Sequence, residues 1–284
     1  MKDTVFSIKE SLILGNSLIS IDKPMVMGIV NLTPDSFYEK SRKQSLKEIL
    51  ETCSQMLEDG ADLLDLGAYS SRPGAEDVVE EEELKRLMPA LEVVREEFPK
   101  AILSIDTFRA TVAEQAIVKG ADIINDISGC SDEQMPHIVA KYQVPYILMH
   151  TKGTPKSMQK NPQYEDVLSE VFTFFKSKLD ILKAAGAKDI ILDPGFGFGK
   201  TVEHNYTLLN HLEYFKTLGF PILAGISRKS MITKVLNNSP SLALNGTTAL
   251  NTVALLNGAS FLRVHDVREA KEVVQLVQKL KEDR

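Results

Sequence analysis

Two carboxylates, Asp106 and Asp193, each directly follow a short apolar run, residues 102–105 and 190–192 respectively. If the fold brings them into one pocket, they could act as acid and base, hold a metal ion, or accept two parallel N–H donors from an amidine-like heterocycle, as a carboxylate accepts from arginine. The alternative for each aspartate is structural, in which its side chain caps the helix that follows.

Basic side chains and an imidazole follow two other apolar runs. Ser227-Arg228-Lys229 comes after residues 222–226, and Arg263 and His265 lie at the end of the run that begins at residue 261. Arg72, in the segment Ser70-Ser71-Arg72-Pro73-Gly74, could reach the same place from another loop. Because barrel enzymes commonly bind phosphate with the loops after strands seven and eight, this set indicates an anion site. Ordinary surface salt bridges are the alternative for any single member.

A glycine-rich segment begins at Asp193 and reads Asp-Pro-Gly-Phe-Gly-Phe-Gly-Lys-Thr as far as Thr201. It misses the phosphate-binding pattern GxxxxGK[ST] by one position, because Pro194 stands where the first glycine is required. The glycines nevertheless predict that backbone and ligand approach closely beside Asp193. Asn31, at the end of the first apolar run, is a neutral oxygen ligand of the kind that weakly held Mg2+ accepts when substrate phosphates supply the other ligands.

The elements that carry these residues alternate regularly. Eight short apolar runs are separated mostly by helical patterns of roughly 10–20 residues, and nearly every run ends in a polar side chain. This alternation is typical of an α/β fold, the (β/α)8 TIM barrel, in which the C-terminal ends of the parallel strands converge on one pocket. The fold is expected to gather at that mouth two aspartates, two asparagines, two histidines, a lysine and an arginine, among them Asn31, Asp106, Asn125, His150, Asp193, Lys229 and His265.

The chain of 284 residues fits one barrel of about 250 residues with a short extension. Residues 4–21 alternate weakly and turn at Gly15-Asn16, which predicts a hairpin that could plug the bottom of the barrel. We therefore predict a single domain, residues 1–284, in which residues 1–24 form the hairpin extension.

Composition excludes several classes of function. A net charge of -6 argues against a general nucleic-acid or membrane-surface binder, although not against a local basic pocket for an anion. Cys53 and Cys130 are far apart and form no CxxC spacing, so we predict two reduced core residues. Neither a membrane-spanning apolar run nor a signal peptide is recognisable, and the cytoplasm is the expected location.

Seven motifs, in order along nearly the whole chain from about residue 15, closely resemble those of the dihydropteroate synthase family. An ordered set of this kind is far more specific than any one motif. The motifs are residues 28–37 (GIVNLTPDSF), 70–74 (SSRPG), 104–107 (SIDT), 124–129 (INDISG), 193–200 (DPGFGFGK), 227–230 (SRKS) and 263–266 (RVHD).

The resemblance implies a transferase of folate biosynthesis that condenses 6-hydroxymethyl-7,8-dihydropterin pyrophosphate with 4-aminobenzoate, through dissociative C–O cleavage, to 7,8-dihydropteroate and pyrophosphate. It implies Mg2+ as cofactor with Asn31 as its ligand, a homodimer through helices of the C-terminal half, and inhibition by sulfonamides. The implied catalytic residues are Asp106, Asp193, Lys229, Arg263 and His265. The implied pterin and pyrophosphate contacts are Ser71, Arg72, Asp106, Asn125, Ile127, Met149, Asp193, Phe198, Lys229, Arg263 and His265. The implied 4-aminobenzoate contacts are Phe37, Ser71, Pro73 and Ser230.

The chain departs from the family pattern in two loops. Tyr38-Glu39-Lys40-Ser41 stands where many relatives carry Asp-Gly-Gly, and Ala68-Tyr69 stands where Gly-Glu is common. These changes bear on loop closure and on contacts to aminobenzoate. Two alternatives are a non-catalytic pterin-binding paralogue and a methyltransferase domain of the methyltetrahydrofolate type. The latter has no need of the Ser-Arg-Pro-Gly loop or of the basic residues after the last two strands.

Overall fold

The computed structural model describes residues 11–14, 17–32, 42–69, 78–153 and 162–282. The predicted site residues Phe37, Ser71, Arg72 and Pro73 lie outside the described residues, as does the altered segment 38–41. In chain order the strands are β1 (Ser11–Leu14), β2 (Ser17–Ser20), β3 (Met25–Asn31), β4 (Leu63–Gly67), β5 (Ile102–Asp106), β6 (Ile123–Asp126), β7 (Tyr146–Met149), β8 (Ile190–Asp193), β9 (Leu223–Ala224) and β10 (Phe261–Val264).

Strands β3 to β10 pair in parallel and form the predicted barrel. Their order is β8-β7-β6-β5-β4-β3-β10-β9, and an isolated parallel bridge between Leu192 and Ile222 joins its two ends. The eight apolar runs predicted from the sequence are these eight strands. Only β9 is markedly shorter than its run: the ladder covers two residues, because the chain beyond Gly225 bends away to a left-handed turn at Arg228, whose φ is 58°.

Helices surround the barrel and bury the outward-facing strand residues. Side chains alternate across each strand, so Leu64 and Leu66 of β4 pack under helices while Leu63 faces the barrel interior. The helices are α1 (Arg42–Glu58), α2 (Glu80–Glu97), α3 (Ala110–Val118), α4 (Met135–Tyr142), α5 (Val167–Ala185), α6 (Val202–Asn210), α7 (Ser230–Leu236), α8 (Leu244–Leu256) and α9 (Val267–Glu282), with 3-10 turns at Leu212–Leu218 and Pro240–Leu242.

The N-terminal end of the barrel is closed by a hairpin. β1 and β2 pair antiparallel, with Leu12 opposite Ile19, which confirms the predicted hairpin over its described part. Its buried side chains Leu12, Leu14 and Ile21 form one cluster with the lowest inward-facing residues of the barrel strands. Those strand residues are Met27, Leu63, Ile123, Ile147, Ile191, Leu223 and Phe261. The hydrophobic plug leaves the opposite, C-terminal end of the barrel for polar residues.

Cys53 and Cys130 are both buried and free, as predicted. Within the described ranges, no helix combines the length and the apolar character that crossing a membrane requires.

Candidate active site

Strand alternation brings a layer of polar side chains into the barrel directly above the hydrophobic plug. Asp65 lies two residues after inward-facing Leu63, and Asn125 lies two residues after inward-facing Ile123. By the same alternation Asp193 follows Ile191 and Arg263 follows Phe261. The charged groups therefore share one pocket because their strands are in parallel register.

Asp65, which the sequence interpretation did not include in the site, is the centre of this layer. Its side chain is fully buried. Ser104 Oγ donates to its Oδ1 at 2.6 Å, while Asn125 Nδ2 and Arg263 Nε donate to its Oδ2 at 3.0 Å and 2.7 Å. The signal in the sequence is a charged residue inside the apolar run 63–67, two positions after Leu63 and therefore on the same face of the strand. A search restricted to the residues at strand ends does not find it.

Asp106 shares Arg263 with Asp65 and keeps one oxygen free. Arg263 Nη2 donates to Asp106 Oδ2 at 2.8 Å, whereas Oδ1 is buried and has no hydrogen-bond partner among the described residues. Burial raises the pKa of Asp106 to about 7, with Arg263 opposing this shift and Asp65 adding to it. The structural alternative fails, because the backbone N–H of Ala110, the first residue of α3, is bound by Asp132 and not by Asp106. An unpartnered buried carboxylate oxygen indicates a ligand donor at this place.

Asp193 is held differently, by the glycine-rich segment that follows it. Its Oδ1 accepts a hydrogen bond from the backbone of Gly195 at 2.7 Å, and Thr201, not Asp193, caps α6. Burial raises the pKa of Asp193, and the nearby Lys229 opposes that shift most strongly. Gly195 has a φ of 69°, and a Cβ built there would lie 1.9 Å from the carbonyl oxygen of His150. Gly195 therefore allows two backbone segments to approach closely beside Asp193, and the approach of a ligand there stays a prediction.

A buried ammonium group holds the rest of that segment. Lys200 Nζ donates to the carbonyl oxygens of Gly195 and Phe198 at 3.0 Å and 2.9 Å, and lies 2.8 Å from His150 Nδ1. Burial lowers the pKa of Lys200 well below its usual value. The His150 ring also packs on Phe174 of α5, with 4.8 Å between ring centroids. The expectation that His150 faces the mouth is thus wrong. Successive side chains along a strand point to opposite faces, and His150 directly follows Met149, which faces inward.

Lys229 connects the glycine-rich segment to the mouth. Its ammonium donates to the carbonyl oxygen of Phe196 and lies 4.7 Å from the centroid of the Phe198 ring. Burial lowers the pKa of Lys229 to about 8, and Asp193 opposes this shift. Two of the predicted walls, Ile127 and Met149, are buried at the ends of their strands, and the third, Phe198, is partly exposed.

The remaining predicted residues lie at the rim. Ser227 Oγ lies 3.0 Å from His265 Nδ1 and accepts the backbone N–H of His265 at 3.3 Å, so Ser227 orients this imidazole. Arg228 is bound to Asp266 through two hydrogen bonds, which removes it from the candidate anion ligands. Ser230 begins α7 and is exposed.

The donor set at the mouth fits a cation held mainly by a substrate. Asn31, the last residue of β3, is exposed and offers one neutral oxygen. Over the described ranges no three or more histidine, cysteine or acidic side chains are grouped as metal ligands. Mg2+ usually keeps several waters and binds through one or two protein oxygens plus phosphate, which one asparagine at a phosphate-binding mouth would match.

The arrangement has a clear chemical polarity. The floor presents carboxylates and the Asn125 amide oxygen, while one N–H of the Asn125 amide is bound by Asp65. The Arg263 guanidinium pairs with Asp65 and Asp106 in this layer, and the Lys229 ammonium and the His265 imidazole lie toward the rim. Such a pocket suits a heterocycle rich in N–H donors that carries an anionic group toward the rim.

Comparisons with known proteins identify relatives over most of the chain. A profile of the family described as "Pterin binding enzyme" matches residues 27–265. The dihydropteroate synthase of Haemophilus influenzae is 40% identical over 266 residues, which are 93% of this chain and 96% of that protein. The crystal structure of the Yersinia pestis dihydropteroate synthase with a sulfonamide drug complex superposes with a TM-score of 0.90 at 38% identity, covering 96% of this chain and 100% of that one. The Xanthomonas albilineans dihydropteroate synthase with 4-aminobenzoic acid gives a TM-score of 0.88 at 36% identity over 96% of this chain and 98% of that one.

Proposed function

The chain belongs to the pterin-binding dihydropteroate synthase family, and from that premise we propose how the residues at its barrel mouth divide the work of the reaction. The enzyme is a transferase of folate biosynthesis. It joins 6-hydroxymethyl-7,8-dihydropterin pyrophosphate to 4-aminobenzoate and releases pyrophosphate. The observation that carries the assignment of roles is the unpartnered buried oxygen of Asp106 beneath a cationic rim.

The floor binds the pterin. Asp106, Asp193 and the Asn125 amide oxygen accept hydrogen bonds from the N–H groups of the ring. Ile127, Met149 and Phe198 enclose the ring, and the Arg263 guanidinium lies against it while paired with Asp65 and Asp106. This division is supported by the burial of both aspartates, which makes hydrogen bonds to them strong and costly to lose.

The rim binds the pyrophosphate. Lys229, Arg263 and His265 supply the positive or N–H-bearing groups, with Ser71 and Arg72 proposed to join them from their loop. Asn31 would hold Mg2+ together with the pyrophosphate oxygens, and bound Mg2+ would neutralise charge on the leaving group. Phe37, Ser71, Pro73 and Ser230 are the residues proposed to contact 4-aminobenzoate.

The reaction then needs no side-chain nucleophile. The bond between the pterin methylene carbon and the pyrophosphate oxygen breaks first, and its electron pair leaves with the pyrophosphate. The electron-rich dihydropterin stabilises the resulting methylene cation, and the two aspartates beneath the ring favour that positive charge. The amine of 4-aminobenzoate attacks the methylene carbon, forms the C–N bond and loses a proton. Holding both reactants in one mouth supplies the required proximity.

A homodimer formed through helices of the C-terminal half, located in the cytoplasm, completes the proposal. Exposed leucines on α7, the following 3-10 turn, α8 and α9 support such an interface, because α8 contacts both α7 and α9 and exposed large apolar side chains on adjoining elements are candidates for contacts between proteins. These residues are Leu236, Leu242, Leu256, Leu276 and Leu280.

A coupled pyrophosphate-release assay tests the function, with the product identified by mass. We expect dihydropteroate only when the pterin pyrophosphate, Mg2+ and 4-aminobenzoate are all present. Saturable pterin binding without product would instead favour a non-catalytic paralogue.

The role of Lys229 is tested in the same assay. Lys229→Ala should lose most turnover and remain folded, whereas Lys234→Ala, which changes an exposed lysine of helix α7 immediately after Lys229, should behave as wild type. Near-normal turnover in Lys229→Ala would remove Lys229 from the site.

A further inference from the structure

Asp65 occupies a position from which it can control two neighbours that face the pocket. It is fully buried, and its described hydrogen-bond donors are the Ser104 hydroxyl, the Asn125 amide nitrogen and the Arg263 Nε. None of these contacts involves a strand end, and Asp65 itself lies in the middle of β4, in register with Ser104, which is two residues before Asp106 on β5. Its influence on a ligand must therefore pass through Asn125 and Arg263.

The Asn125 contact fixes the chemical polarity of an otherwise ambiguous group. An asparagine amide can present either its oxygen, an acceptor, or its NH2, a donor. A carboxylate accepts hydrogen bonds only, so Asp65 binds one N–H of the NH2 group and keeps the amide oxygen turned away from itself, where a ligand donor can reach it. No hydrogen bond between the described residues reaches that oxygen. The floor thus presents acceptor oxygens from Asp106, Asp193 and Asn125.

We propose that Asp65 is a positioning residue that determines specificity: by fixing the Asn125 amide it keeps the acceptor oxygen of that amide toward the ligand, and so selects pterins, which carry a 2-amino group, against their 2-oxo counterparts. The inference rests on the proposed pterin site. In a lumazine the 2-amino group of the pterin is replaced by a carbonyl oxygen. That oxygen would meet an acceptor in the native pocket, and an unpaired buried polar group is strongly unfavourable.

Asp65→Asn tests the idea, because the new amide can either donate or accept. Asn125 is then free to turn its NH2 toward the pocket. We expect the ratio of the affinities for 6-hydroxymethylpterin and 6-hydroxymethyl-lumazine, measured by calorimetry, to fall by roughly 10-fold or more, the usual effect of one mismatched buried hydrogen bond. A purely structural role would weaken both ligands alike, and an unchanged ratio with a folded variant would overturn the proposal.

Two control variants separate polarity from general disruption. Ser104→Ala removes the donor to Asp65 Oδ1 while leaving the contacts to Asn125 and Arg263, so it should change both affinities equally. In an Asn125→Ala background, adding Asp65→Asn should leave the affinity ratio unchanged, since the group that carries the polarity is gone. A further fall in the ratio in that background would show that Asp65 does not act through Asn125.

A measurement on the unaltered protein keeps the test decisive if Asp65→Asn does not fold. With asparagine-selective 15N labelling, the side-chain amide signal of Asn125 can be assigned by its loss in Asn125→Ala. We expect the N–H proton that is bound by Asp65 to exchange slowly and to shift little on titration with 6-hydroxymethylpterin. Large shifts together with fast exchange before binding would place the NH2 in the pocket and refute the inference. Pterin affinity and synthesis by the wild type test the proposed function separately.

Discussion

The raised pKa of Asp106 makes pterin binding sensitive to pH near neutrality. Burial raises this pKa to about 7, so the carboxyl group becomes protonated below that pH in the free protein. Ligand N–H groups bind the ionised form, which can accept at both oxygens. Affinity should therefore rise with pH up to about 7 and then level off, with a slope of up to about tenfold per pH unit on the acid side.

Calorimetry at several pH values, in buffers of different ionisation enthalpy, measures this dependence and the proton released on binding. Asp106→Asn is the matched control, because it cannot titrate at this position and retains any pH dependence that belongs to the ligand. Parallel pH profiles for wild type and Asp106→Asn would contradict the assignment.

Gly225 offers a test of where the pocket lies that does not alter a charged group. A Cβ built on Gly225 meets nothing closer than 3.7 Å, and its nearest atoms belong to Lys229, Asp193 and Arg263. Its φ is not in the left-handed region, so alanine is compatible with the backbone. Gly225→Ala should keep its thermal stability and yet bind pterin at least tenfold more weakly, because the methyl group occupies ligand space.

Gly195→Ala is the contrasting variant, since its Cβ would collide with the backbone of His150. We expect it to lower stability as well as affinity, by about 2 kcal/mol or more in the free energy of unfolding. Equal pterin affinity in Gly225→Ala and wild type would mean that the space between Asp193 and Arg263 is not part of the pocket.

At the level of elements, periodicity predicted the strands better than it predicted which way their last residues point. The runs 146–149 and 261–264 coincide with β7 and β10. His150, however, follows inward-facing Met149, so its parity turns it outward to the Lys200 cage. Asp65 was missed for the complementary reason, since strand-end reasoning does not consider mid-strand residues. Alternate positions counted from an inward-facing residue of the same strand, such as Leu63 in β4, would have given the correct direction for both side chains.

The hairpin plug should contribute to stability and not to chemistry. Leu12 of β1 is buried in the barrel interior, at the end opposite the polar mouth. Leu12→Ala should lower the free energy of unfolding by about 2–5 kcal/mol, the usual effect of emptying a leucine site in a core. The kinetic constants measured at low temperature, where the variant stays folded, should be those of the wild type.

Urea denaturation followed by circular dichroism measures the first effect, and the pyrophosphate assay measures the second. Leu18→Ala on β2 is the matched control: its side chain is 69% exposed, so its loss should change stability by no more than about 0.5 kcal/mol. A raised KM for pterin in Leu12→Ala would show that the plug also shapes the mouth.

At the scale of the molecule, the barrel separates stability from function along its axis. The N-terminal half of its interior is hydrophobic and continuous with the hairpin, whereas the next layer contains a network of Asp65, Asp106, Asn125 and Arg263. Sequence patterns predicted this polarity because parallel strands place their C-terminal ends at one edge. They could not predict the pairing within the network, which depends on which side chains meet across strands far apart in sequence, such as Asp65 and Arg263.

The proposed dimer can be located from the outer surface of the C-terminal helices. Leu242 and Leu276 are 69% and 68% exposed, and lie in the 3-10 turn after α7 and on α9 respectively. If helices of this half form the interface, sedimentation velocity should find wild type at the mass of two chains. A glutamate at the interface would bury an unpaired charge, so Leu242→Glu or Leu276→Glu should then sediment as a single chain.

Val118→Glu on α3, where the valine is 66% exposed, is the control and should remain dimeric. The interface would be refuted by a wild type that is monomeric at all concentrations, or by a dimer that only Val118→Glu breaks. Turnover by the monomeric variants would show whether one barrel mouth is sufficient for the reaction.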